Sequence, residues 1–120
     1  MCENNDKIRL EKVVEFCRKI NKSIERFGKD FNIFNADDNF YLSVSYSILI
    51  VSNNLNIISD KCIEKIDDFK LLWHISNIGY LITHFFDETD KLYIWNVAIN
   101  DIPILQNFCE ETLKSYEEKQ

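Results

Sequence analysis

His84 is the residue whose neighbours best equip it for chemistry. Asn77, Tyr80, His84 and Asp87 follow one another at intervals of three, four and three residues, so a helix would carry them on one side. An imidazole four residues after a tyrosine and three before a carboxylate can be held in one tautomer and move a proton near neutral pH. Tyr80, His84 and Asp87 are therefore the candidate catalytic residues. From spacing alone, a polar stripe on an apolar helix more often satisfies itself in a core or marks a subunit interface. The other histidine, His74, lies ten residues earlier and roughly 80° round the same helix, which argues against a shared metal site. The chain has no glycine-rich phosphate loop, no Gly-x-Ser-x-Gly elbow, no His-Glu-x-x-His helix and no calcium loop, so neither cofactor nor metal is expected.

The elements that must position these groups read as helices. Leu10, Val13, Cys17, Ile20, Ile24 and Phe27 recur every three or four residues between a cap at Asn5 or Asp6 and a stop at Gly28. After a connector holding Phe31, Ile33 and Phe34, Asp37 and Asp38 can cap a second helix. Residues 42–48 alternate with period two and would by themselves read as a strand. The register Phe40, Val44, Ile48, Val51, Leu55, Ile58 runs too far for one, and helix is preferred. A third helix starts after Asp67 or Asp68 and ends near Phe86. Its apolar row Leu71, Ile75, Ile78, Ile82, Phe85 predicts that it is largely buried apart from the polar stripe. A fourth spans about residues 90–99 and buries Leu92, Trp95, Ala98 and Ile99. Asp101 then caps a fifth, with Pro103 tolerated in its first turn.

The expectation is a single all-α domain over residues 1–120, an antiparallel bundle of four to five helices. Two glycines and one proline are too few for a sandwich or barrel, and 120 residues leave no room for a second domain. A net charge of -6 without a Lys/Arg run disfavours extensive nucleic-acid binding and leaves RNA only a weak local contact. No apolar stretch approaches a membrane span and the start of the chain is polar, so no membrane partner and a cytoplasmic location are expected. Cys2, Cys17, Cys62 and Cys109 lack close pairing and read as free thiols rather than disulfides or zinc ligands. Trp73 and Trp95 read as core or interface anchors rather than base-stacking platforms, because no basic groove accompanies them.

Over about residues 6–116 the sequence resembles the HepT-like branch of the HEPN superfamily. The most specific match is Ile94-Trp95 followed by Asn100-Asp101-Ile102-Pro103-Ile104-Leu105, where such proteins show a tryptophan and then Asn-Asp-Leu/Ile-Pro-x-Leu. Phe27-Gly28-Lys29-Asp30-Phe31 and Leu72-Trp73 ahead of a late histidine support it. The resemblance implies a HEPN-like bundle paired as a homodimer, a metal-independent ribonuclease activity, and a small nucleotidyltransferase partner in a toxin–antitoxin module. In such ribonucleases a histidine moves the proton as the ribose 2′-hydroxyl attacks, and an arginine stabilises the phosphorane charge.

His84 falls on the family histidine. Gly79 stands at the arginine, Tyr80 at the following asparagine and Phe86 at the tyrosine that accepts adenylate from the nucleotidyltransferase. Ser52-Asn53 stands where Gly-Glu is frequent. Loss of the cation implies a rate lower by on the order of 10²–10³, and Lys70 and Lys91 are too distant in sequence to replace it. An arginine restored at position 79 is expected to leave the fold intact if that position faces the dimer cleft. The alternative role is a non-catalytic partner of a nucleotidyltransferase or another protein; a third is a structural homodimer in which the stripe only sets registry.

Overall fold

The computed structural model describes residues 4–59, 62 and 68–118, and every regular element in them is helical. The elements are α1 (Asn4–Phe27), α2 (Phe31–Ala36), α3 (Asp38–Ile57) and α4 (Phe69–His84), then a 3₁₀ turn (Phe86–Glu88), α5 (Lys91–Asn96), a π turn (Val97–Asp101) and α6 (Ile102–Glu118).

Side-chain chemistry sets most of these boundaries. The carboxylates of Asp30, Asp37, Asp68 and Asp90 each accept an N–H in the first turn of α2, α3, α4 and α5. Gly28 ends α1 at φ +112°, a backbone conformation that strains any side-chain-bearing residue. Asp6, expected as a possible cap, lies inside the first turn of α1, and its carboxylate accepts the N–H of Ser59 at 2.9 Å and its hydroxyl at 2.6 Å.

Polar contacts between helices fix their directions. The start of α1 meets the end of α3 through Asp6–Ser59 and Arg9–Asn54, and its end meets the start of α3 through Ser23–Ser43. Ser76 donates to Asn56 between α4 and α3, and Asn21 to Gln106 between α1 and α6. Each of these pairs runs antiparallel. The expected α3 row is buried throughout, from Phe40 to Ile58, each full burial contributing about 1.5–3 kcal/mol. The period-two serines do not make a strand. Ser45, Ser47 and Ser52 are also buried, the small side chains that close helix packing requires.

Four expectations are corrected. Phe31, Ile33 and Phe34 belong to a short helix, α2, which inserts Phe34 between Phe40 and Trp95 at ring separations of 5.1 and 5.0 Å. The fourth and fifth helices are one rod. Asp101 does not cap a new helix, because the Ile102 N–H donates to the Val97 carbonyl five residues back. That wider turn accommodates Pro103, which lacks an N–H and whose ring would crowd the carbonyl four residues before it. Third, α4 is less buried than its apolar row predicts: it ends at His84, leaving Phe85 outside the helix and exposed, and Leu92 on α5 is exposed too.

The fourth correction concerns thiols. Cys17 and Cys109 are free and buried, as expected, and burial raises both, Cys109 to about 12. Neither is a nucleophile at neutral pH. Cys62, however, is disulfide-bonded, and the expectation for Cys2 lies outside the described residues. No helix among the described residues is long and apolar enough to cross a membrane.

Candidate functional site around His84

The site is built by the outer face of α4. Asp68 fixes the helix start by accepting the Leu71 N–H at 3.0 Å, and Leu71, Ile75, Ile78 and Ile82 seat the inner face in the core. That seating turns positions 73, 80 and 84 outward. Trp73 is 62% exposed and Tyr80 56%, so of the two roles expected for Trp73, core is excluded in the protomer. Trp95 is the core anchor, packed on Phe34 and Phe40.

Tyr80 and His84 come together, their ring centroids 4.6 Å apart, and Phe85 closes the group at 6.1 Å from Tyr80 and 6.4 Å from His84. His84 is exposed at the C-terminal end of the helix. The other stripe residues diverge. Asn77 donates to the Tyr93 hydroxyl at 3.1 Å. Asp87 lies on the 3₁₀ turn, and among the described residues no hydrogen bond or ion pair joins it to His84. Burial raises the Tyr41 hydroxyl pKa, and the Asp87 charge adds a smaller push in the same direction. The structure thus places a tyrosine–histidine pair at the expected position, without the carboxylate in contact.

Position 79 has a different environment from the one its condition required. An added Cβ at Gly79 would fall 2.5 Å from Ser52 Cβ and closer still to Ser52 Oγ. Gly79 faces α3 rather than a cleft, so Gly79→Arg cannot be expected to fold. The two small residues Gly79 and Ser52 allow α3 and α4 to approach closely. Phe86, at the tyrosine position of the resembled family, is stacked on Tyr41 at 5.1 Å and 12°.

Among the described residues no ion pair or cation–ring contact involves Tyr80, His84 or Asp87. Lys91 is engaged elsewhere, 4.5 Å above the Tyr41 ring and donating to the Asn35 carbonyl at 3.1 Å. Lys70 lies with His74 and Asp101.

This second histidine carries an arrangement that the spacing did not reveal. His74 Nδ1 is 3.3 Å from Asp101 Oδ2, joining α4 to the π turn. Burial raises the Asp101 carboxyl pKa, and the charge and hydrogen bond of His74 oppose the rise. Asp68, Lys70, Leu71 and Ile104 complete a shallow pocket of about 250 Å³ there. Its only sequence signal was Asp101 itself, read as a helix cap. Among the described residues no three potential metal ligands converge.

Comparison with family models, with curated proteins and with solved structures finds no match to this chain.

Proposed function

We propose that this chain is a HepT-like HEPN protein, a homodimeric component of a toxin–antitoxin pair whose ribonuclease chemistry is weak or absent. The observation that carries the reading is the exposed Tyr80–His84 pair at the end of α4, a proton carrier with which no cation among the described residues is paired. The exposed aromatic side chains of the same helix supply a surface on which a second copy can pack. Histidine can assist attack by a ribose hydroxyl, but among the described residues no basic side chain pairs with this group to oppose the charge that builds on phosphorus.

A second reading, a non-catalytic partner of a small nucleotidyltransferase, is favoured by Gly79 and Phe86. One supplies no charge and the other no hydroxyl, and both side-chain positions turn towards α3. Co-expression with a nucleotidyltransferase encoded beside this chain tests both readings. A stable complex with no adenylate on residues 83–87 is the expected result, and an adduct on the exposed Tyr80 would revise the alignment rather than the family. Absence of any complex would remove the support for a toxin–antitoxin role.

A further inference from the structure

A cleft of about 430 Å³ opens between the second half of α1 and the start of α3, lined by Lys22, Ser23, Arg26, Phe27, Asn39 and Ser43. It lies within the roughly 300–1,000 Å³ range of small-molecule sites. Its composition runs against the rest of the protein. The chain carries a net charge of -6, yet two cations and three neutral hydrogen-bonding side chains line this cleft and, among the described residues, no carboxylate does. The larger groove between α1 and α6, which Lys22 also borders, differs: Glu11, Glu15 and Glu110 share its walls, and there Arg18 pairs with Glu110 and Lys19 with Glu15.

Lys22 and Arg26 are four residues apart on one helix, and among the described residues neither forms an ion pair. Like charges at this spacing repel unless an anion lies between them. The macrodipole accounts for Arg26 in the last turn of α1. It does not account for the absence of carboxylates, nor for the polar groups opposite. Ser23 Oγ and Ser43 Oγ are 3.1 Å apart across the helix pair. One hydroxyl donates to the other, which leaves the second proton free for a ligand. The neighbouring Asp37 is occupied with the Phe40 N–H at 3.1 Å.

We propose that this cleft binds the dianionic phosphoryl group of a small phosphomonoester. The Arg26 fork and the Lys22 ammonium oppose the charge, and the serine hydroxyls and the Asn39 amide supply neutral donors. Phe27 is not a platform for a base: Phe40 stacks on it at 4.8 Å, and the Arg26 guanidinium lies 5.6 Å from its centroid. Recognition is therefore of the phosphate and not of a nucleobase. The site shares no residue with the His84 face, so its test is independent of the proposed function.

The experiment is a titration of the full-length protein with ribose 5-phosphate, inorganic phosphate and a short single-stranded RNA lacking terminal phosphates, followed by amide NMR. Ribose 5-phosphate should shift the amides of Ser23, Asn39 and Ser43, and inorganic phosphate should shift the same set more weakly. Lys22→Ala and Arg26→Ala should each weaken binding about tenfold. Both side chains are exposed, so the variants should fold, and unchanged dispersion elsewhere in the spectrum verifies that. Absence of shifts at millimolar ribose 5-phosphate, shifts unaffected by both substitutions, or binding of the RNA alone would each overturn the proposal.

Discussion

Gly79 and Ser52 meet where α4 packs on α3, and that contact decides what can be engineered at the site. Any side chain at position 79 displaces Ser52 and the α3 backbone behind it. Gly79→Ala should destabilise the protein by about 1–3 kcal/mol in urea unfolding, and Ser52→Gly in the same chain should recover part of the loss. Full stability of Gly79→Ala alone would show that the helices are less closely packed. Position 80, exposed and in contact with the His84 ring, is where a cation can instead be placed. At the second histidine, Asp101 supplies a pH test. Its carboxyl pKa lies above the ordinary 3.8 through burial, so the folded chain holds this proton more tightly than the unfolded chain does. The associated stability is fully present below pH 3.8 and is lost as pH rises through the folded value. Asp101→Asn lacks that loss, and its stability relative to the parent should improve across this interval in urea titrations. A difference that does not change with pH would contradict the account of Asp101.

Helix boundaries were legible wherever one side chain sets them. Asp37 and Asp68 do cap α3 and α4, and Gly28 does end α1, because capping is decided within a few residues. Asp68→Ala should therefore cost about 1 kcal/mol, read as a lower thermal midpoint, and a neutral result would mean that tertiary packing alone fixes the start of α4. The α5–α6 junction was not legible. Asp-x-Pro carries the same local signal at a new helix start and at a π turn, and what distinguishes them is the pairing of Asp101 with His74 on another helix. α2 was missed because six residues hold too little periodicity to register, whereas its Phe34 is placed by Phe40 and Trp95. The candidate site was half legible for the same reason. Spacing put Tyr80 and His84 on one side of a helix, but the inward direction of position 79 and the separation of Asp87 depend on how α4 crosses α3 and where it ends.

On the scale of the whole molecule, the exposed aromatic face of α4 and the net negative charge pull in different directions. The aromatic face favours association, whereas the charge discourages a long nucleic-acid ligand. Light scattering should find a dimer in the micromolar range, and Trp73→Glu with Tyr80→Glu should yield a folded monomer, since neither side chain supports the core. A parent protein that is monomeric throughout would remove the dimer from the proposal. The central claim is that His84 remains a proton carrier in a site that lacks its cation. The most direct measurement incubates the purified parent, Tyr80→Arg, and Tyr80→Arg with His84→Ala with defined RNAs in the presence of a chelator. The account predicts little or no cleavage by the parent, measurable cleavage by Tyr80→Arg, and its loss when His84 is also replaced. Efficient cleavage by the parent that disappears in His84→Ala would contradict it, because another group would then already be stabilising the charge.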